Sequence, residues 1–238
     1  MTEKAARGSV LAVFAHPDDA EIAAGGTLAK WAATGRDVHL LVLTNGDRGS
    51  TDRSVDRVEL ARTRAAETAS AARVLGLAGA TVLEVHDGEL ENTPQIRGHV
   101  VRAIRELRPT TVVSCDPSAW FFDDRFVNHA DHRTAGAATL DSVWPAAGNP
   151  HYFPEHLGEG LEPHDVPEVW LSWTEEANHH EDVTDTFATK TAALAEHRSQ
   201  LAEGIRFFED EIETQAREAG TRIGVGYAES FRVLDLSS

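Results

Sequence analysis

Ser9-Val10-Leu11-Ala12-Val13-Phe14 runs without a break into Ala15-His16-Pro17-Asp18-Asp19. After Ser9 the residues up to Phe14 are apolar at every position, with β-branched valines at 10 and 13. They are too few for a helix, and they do not alternate with polar residues as a half-exposed strand would. The run therefore reads as a strand buried on both faces, the kind found inside parallel sheets. A polar, proline-containing turn follows at once, and it places His16, Asp18 and Asp19 at the carboxyl end of that strand.

Outward from this stretch, strand-like and helix-like segments alternate. Residues 20–34 carry a helical pattern that stops at Gly35, and 38–43 (VHLLVL) form a second strand closed by Thr44-Asn45-Gly46. Val58, Ala61, Ala65, Ala69, Ala72 and Leu75 make a helix stripe ended by Gly76. Residues 81–85 (TVLEV) are a third strand, and Ile96, Val100, Ile104 and Leu107 mark a helix that Pro109 ends. Residues 110–115 (TTVVSC) are a fourth strand, and a helix over 132–143 stops before Pro145. Proline, glycine and histidine crowd 144–168 without periodicity, as in a long irregular loop over the core. EVWLSW (168–173) is a fifth strand. One long helix is expected over 186–216, with Leu194, Leu201, Ile205, Phe208 and Ile212 on one face; the alternating tail 227–234 reads as an edge strand. The pattern predicts an α/β fold, doubly wound and mostly parallel in the order 3-2-1-4-5, with helices on both faces. No repeat or linker divides it, so one domain is expected over 1–238.

Composition excludes several classes. The formal charge of −17 argues against a bulk affinity for nucleic acid or anionic lipid. One cysteine cannot build a disulfide framework or a CxxC site. No apolar run approaches a membrane span, and the opening residues lack the long apolar region of an export signal, so a cytoplasmic protein is expected.

Two clusters carry the chemistry. One is His16-Pro17-Asp18-Asp19; the other is Asn128-His129-Ala130-Asp131-His132, after the fourth strand. In a doubly wound sheet, ligands sit at the carboxyl ends of the strands where the winding reverses. With strands one and four as neighbours, the clusters face each other across one crevice. Two histidines and an aspartate with one position left open are the donor set of a catalytic zinc. Such a cation acidifies water and polarises a carbonyl. Asp18 is then apt as general base, and His129 as the group that stabilises or protonates a tetrahedral intermediate, with Asp131 orienting its ring.

These residues resemble the PIG-L/LmbE-like N-acetylglucosaminyl deacetylases. The likeness rests on AHPDDAEIAAGGTLAKWAATG (15–35), TNGDRGS (44–50), RAAETASAARVLG (64–76), HDGEL (86–90), NHADHRTAG (128–136) and KTAALAEHRSQ (190–200), in the expected order. It implies a Rossmann-like fold and zinc-dependent removal of acetyl from an amino sugar. Carried onto this chain, it implies His16, Asp19 and His132 as zinc ligands, Asp18 as base, and His129 as the oxyanion partner supported by Asp131. Arg64 and Asp87 fall where members contact the sugar or its aglycone, and Arg48 is a further candidate contact. Two departures stand out: Glu21 follows Ala20 rather than Asp19 directly, and Val127 stands where some members carry an acid-assisting tyrosine.

Each residue also has a plainer reading. Arg64 and Glu67 are spaced as a helix-surface pair, and Gly25-Gly26 as close packing of helix against sheet. Cys115 reads as a small buried hydrophobe and His39 as strand packing, while Trp120, Phe121 and Phe122 either stack on a ligand ring or anchor the loop, with anchoring the favoured reading. His197 points to the site or holds the long helix. The expected substrate is a small N-acetylated molecule. An amidase on a thiol–sugar conjugate is the related alternative. An iron oxygenase built on His129, Asp131 and a distant histidine is the alternative from another class, as is a non-catalytic binding module. Zinc is the expected metal and ferrous iron its alternative; a homo-oligomer is compatible with the aromatic loop.

Overall fold

The computed structural model describes residues 8–122, 124–201 and 205–237, with the side chains of 201 and 205–209 left out of the description. Strand β1 (Ser9–Phe14) is buried from Val10 onward. It lies between β2 (Asp37–Val42) and β4 (Pro109–Cys115), parallel to both. β3 (Gly79–Val82) flanks β2, and β7 (Glu168–Ser172) flanks β4, again in parallel. The full order is β3-β2-β1-β4-β7-β9-β8.

The expected five-strand order therefore does not describe the whole sheet. β9 (Ala228–Asp235) and β8 (His179–Asp182) extend it in antiparallel fashion, so the sheet is mixed and seven-stranded. The tail read as an edge strand is paired on both sides. The edge is β8, whose polar sequence His179-His180-Glu181-Asp182 gives no strand signal; charged side chains suit an edge, where they discourage further pairing.

Alternation along β1 divides the core. Leu11 and Val13 pack with Leu41, Val112, Val169 and the helices α3 (Pro94–Leu107) and α4 (Ala130–Asp141). Val10, Ala12 and Phe14 face the other way, onto Ala24, Leu28 and Trp31 of α1 (Asp19–Ala33), with Trp170 and Phe231. Helices thus cover both faces, and α2 (Arg57–Leu75) packs on α1 through Ala71 and Leu75 against Ala29. Local chemistry sets the helix ends. Asp56 caps α2 through Val58 N and Glu59 N, Gly76 closes it at φ 75, and Thr93 caps α3 with Pro94 at its first position.

After α4 a six-residue π turn (Ser142–Ala147) leads into the irregular stretch, relieved only by the short helix α5 (Glu155–Gly158). Arg105 of α3 organises this segment. Its buried guanidinium donates to the carbonyls of Ala146, Ala147, Asn149, Tyr152 and Phe153 at 2.9–3.2 Å. The long helix expected over 186–216 is interrupted: α6 (Phe187–Leu194) ends in a turn at 195–197 before α7 (Arg198–Leu201), and α8 spans Ile205–Ile223. The stripe residues Leu201, Ile205 and Phe208 lie outside the described side chains.

Gly25 and Gly26 do permit a close approach, but of α6 and its N-terminal lead-in rather than of the sheet. A Cβ on Gly26 would sit 2.7 Å from Val183 Cβ, and one on Gly25 3.1 Å from Lys190 Cγ. Gly136 is tighter still, because a Cβ there would meet the Cys115 carbonyl oxygen at 2.3 Å. That contact seats α4 directly on the end of β4. Gly136→Ala is expected to destabilise the protein by about 1–3 kcal/mol, the usual cost of overpacking against backbone. A chemical denaturation midpoint equal to that of the wild type would show the approach to be looser than described. No helix among the described residues is long and apolar enough to cross a membrane.

Candidate metal and catalytic site

The carboxyl ends of β1 and β4 bring the two clusters together. Asp19, the first residue of α1, accepts a hydrogen bond from His16 N at 2.8 Å on Oδ2. The same oxygen lies 3.3 Å from His16 Nδ1, and Oδ1 lies 3.3 Å from His132 Nε2. His16 Nδ1 and His132 Nε2 are 3.2 Å apart.

The outer nitrogens of the two rings show what the inner ones present. His16 Nε2 faces only carboxylate oxygens, Asp87 Oδ1 at 3.2 Å and Asp131 Oδ2 at 3.3 Å. Carboxylates accept, so Nε2 carries a hydrogen, and it is Nδ1 that offers its lone pair inward when the ring is neutral. His132 Nδ1 lies 3.0 Å from Asn128 Oδ1, and that amide is oriented by its own donation from Nδ2 to the Ala119 carbonyl at 2.8 Å. His132 Nε2 is therefore also a lone pair. Two imidazole nitrogens and a carboxylate converge at 3.2–3.3 Å, an arrangement that calls for positive charge between them, supplied by a proton on His16 or by a metal cation. Donors bound tetrahedrally at about 2.0 Å stand about 3.3 Å apart, so the set fits zinc. The outer carboxylates and amide are the partners that fix ligand tautomer and ring orientation in metal sites.

Electrostatics express the same demand for positive charge. Burial disfavours a charged His16, but the Asp19 carboxylate and hydrogen bonds to Asp131, Asp19 and Asp87 outweigh it and raise the ring to about 12. Burial pushes the Asp19 carboxyl up, and His132 and His16 more than reverse this, holding it well below the usual carboxylate range.

Asp18 lies beside this cluster with a side chain only 17% exposed. Its backbone is held at φ 104, a left-handed conformation uncommon outside glycine that aspartate tolerates better than most residues. Burial raises its carboxyl to about 6; the Arg64 guanidinium, 3.1 Å away, pulls down and neighbouring Asp19 adds to the rise. A carboxylate tuned toward neutrality is suited to accept a proton from water.

His129 caps α4, its Nδ1 accepting from Asp131 N at 3.2 Å. Nδ1 is thus unprotonated and the ring proton sits on Nε2. Burial and the nearby His16 both lower its pKa, which keeps it neutral. A nitrogen of His129 lies within 4.8 Å of nitrogens of His16 and His132, a looser grouping than the one made with Asp19.

The PIG-L family model, described as GlcNAc-PI de-N-acetylase, matches residues 11–143, a span that contains both clusters. The chain belongs to the PIG-L family. Diacetylchitobiose deacetylase of Thermococcus kodakarensis is 36% identical over 224 residues, covering 94% of this chain and 82% of that protein. The structure of N,N'-diacetylchitobiose deacetylase from Pyrococcus horikoshii, complexed with its inhibitor MPG, superposes with a TM-score of 0.89. It shares 32% identity and covers 96% of this chain and 84% of that one. A 1D-myo-inositol 2-acetamido-2-deoxy-α-D-glucopyranoside deacetylase of Rhodococcus erythropolis is 31% identical over 181 residues, which is 65% of this chain and 61% of that protein.

Within this PIG-L site several expected roles change. Asp131 was expected to orient His129, but its carboxylate holds His16 Nε2 and Gly88 N (2.7 Å), and only its backbone N–H meets His129. Arg64, expected at the sugar, is buried behind Asp18 and donates to Gly46 O, Pro17 O and Asp18 Oδ2. Gly46 and Gly49 leave it room, since a Cβ on either would come within 2.5 Å of Nη1. Asp87 stands on His16, and Arg48 lies at the rim, its side chain 39% exposed, donating to Asp87 O and pairing with Glu89. The loop 86–88 is tied down by buried Asp47, which accepts from Asp87 N and engages His86 and Arg57.

Further contacts of the site escaped the sequence reading. Asn128 orients His132, and Trp173 stacks on the His132 ring with centroids 4.6 Å apart. Glu21 forms a fully buried pair with His197, Oε2 to Nε2 at 3.3 Å. Burial opposes charge on His197, and Glu21 more than offsets this, so its pKa rises. Ser199, two residues on, donates to Glu67 through N and Oγ at 2.8 and 2.6 Å. The turn after α6 is thereby bound to α1 and α2 behind Asp18. Cys115 is buried, and burial pushes its thiol well up, as expected of an inert core residue.

Proposed function

We propose that this PIG-L protein is a zinc-dependent N-deacetylase that hydrolyses the acetamide of an N-acetylated amino sugar. The observation that carries this reading is the convergence of His16 Nδ1, His132 Nε2 and the Asp19 carboxylate at 3.2–3.3 Å, with Asp18 beside them. His16, Asp19 and His132 are the residues that would hold the metal. Bound there, zinc would supply Lewis-acid polarisation of the acetyl carbonyl and acidify water.

The chain's own groups account for the proton movements. Asp18 takes a proton from the attacking water as the new C–O bond forms at the acetyl carbon. The Nε2–H of neutral His129 donates to the oxygen on which negative charge develops, in the manner of an oxyanion hole. The C–N bond then breaks, and the proton held by Asp18 passes to the leaving nitrogen, so that acetate and a free amine result. Arg64 fixes the Asp18 carboxylate in place; Asp87, Asp131 and Asn128 keep the two rings aimed inward.

The reading is tested by measuring acetate released from N-acetylglucosamine and from diacetylchitobiose, before and after chelation. Chelated protein is expected to lose activity and to regain it with zinc. Release of a larger acyl product from a thiol–sugar conjugate, without acetate release from either sugar, would transfer the assignment to that substrate class. Anaerobic reloading with ferrous iron identifies the metal that supports turnover.

A further inference from the structure

Beside the site stands a small apolar projection whose purpose the chemistry above does not use. β5 (Phe121–Phe122) and β6 (Phe126–Val127) pair as a short antiparallel hairpin immediately before Asn128. Of the two sequence readings of its aromatics, loop anchor or ligand stacking, anchoring calls for burial. Instead Trp120, Phe121, Phe126 and Val127 are 56%, 57%, 60% and 75% exposed. Contiguous apolar side chains held in water mark a surface that meets something.

The root of the hairpin is built into the metal site. Asn128 N donates to the Trp120 carbonyl at 2.9 Å, and Asn128 Nδ2 donates to the Ala119 carbonyl at 2.8 Å. The same asparagine holds His132 Nδ1. Arg133, next in sequence to His132, places its guanidinium 4.1 Å from the centre of the Trp120 ring while donating to Asn128 O. Trp120 is thus pinned through its backbone by Asn128 and through one ring face by Arg133. A ring fixed in advance loses little freedom when a ligand stacks on it.

We propose that Trp120 is a platform for a second sugar ring, next to the N-acetylated ring whose acetamide is cleaved. This rests on the deacetylase reading of the site. A pyranose turns C–H groups to its faces and hydroxyls to its rim, so an indole face fits it while the hydroxyls stay in water. Continuity with the site favours this occupant over others: Asn128, which holds His132 Nδ1, also donates to the carbonyls of Trp120 and Ala119. The charge of −17 disfavours an anionic lipid surface. The substrate class is accordingly an oligosaccharide of at least two sugar units.

The test compares Trp120→Ala and Trp120→Phe with the wild type. Kinetics are measured on N-acetylglucosamine and on diacetylchitobiose, and calorimetric binding of diacetylchitobiose is measured on the metal-loaded proteins. In Trp120→Ala the ratio of disaccharide to monosaccharide kcat/KM is expected to fall about ten-fold, through KM, with Trp120→Phe recovering most of it. An equal loss on both sugars, or no loss, overturns the platform. So does a change in oligomeric mass of Trp120→Ala by light scattering, which would assign the patch to a contact between copies. If the wild type releases acetate from neither sugar, the deacetylase reading fails. The binding experiment still judges the platform: Trp120-dependent binding upholds it, and absent or Trp120-independent binding ends it.

Discussion

Asp18→Asn is expected to lower kcat by about 10³-fold on any acetamide the enzyme accepts, while the protein keeps its full complement of metal. Asparagine is the informative replacement. Asp18 sits at φ 104, and asparagine tolerates a left-handed backbone as aspartate does, whereas alanine would add strain. The amide is nearly the same shape as the carboxyl, so packing against Arg64 is preserved in outline. What disappears is the ability to take a proton, which burial tunes by raising the carboxyl to about 6. Turnover measured as acetate release, set beside metal content, separates a lost base from a lost metal. Near-normal kcat in this variant would remove Asp18 from the mechanism, and loss of metal would make it a structural neighbour of Asp19 instead.

The centre of the fold was legible because its strands are buried on both faces. Residues 9–14 and 38–43 are each apolar at five of six positions, and 110–115 is built of β-branched and small residues, as a central parallel strand requires. The periphery was harder to read. β8 is polar because it is an edge, so the signal that reveals a strand is the one an edge suppresses. The break after α6 was hidden for another reason. Its apolar spacing runs on from Leu194 through Leu201, Ile205 and Phe208 to Ile212, and nothing local shows that His197 turns into the core to meet Glu21 from 176 residues earlier.

In the site, the two histidine clusters could be placed together from topology alone, and His16 and His132 do meet at 3.2 Å. Which carboxylate serves which ring could not. Asp131 is two residues from His129, and local proximity suggested that pair; the direction of the α4 first turn instead sends its carboxylate to His16. Arg64 has the charge of a substrate contact, but two loop glycines leave room for its guanidinium under Asp18, where it donates to the carboxylate. Sequence shows which side chains are capable of a role. Backbone carbonyls and neighbouring amides, which carry no such signature, select the role each one takes.

His132→Ala is expected to abolish metal binding and, with it, the effect of chelator on stability. In the wild type the inner nitrogens of His16 and His132 both present lone pairs, 3.2 Å apart and 3.3 Å from Asp19 oxygens. A cation bound there stabilises the folded state by mass action, about 2.7 kcal/mol when free metal is a hundred times its Kd. For a chain of this size that is a Tm shift of roughly 5–10 °C between metal-loaded and chelated protein. Alanine at 132 removes one of the converging donors, so the variant gains nothing from metal. The expected result is a Tm unresponsive to chelator or added zinc. Asn128→Ala provides the graded companion, since it frees the His132 ring without deleting it; about 10–100-fold weaker metal binding is expected there. A chelator-sensitive His132→Ala protein would place the cation elsewhere, with His16, Asp87 and Asp131 the remaining group of donors within reach of one ion.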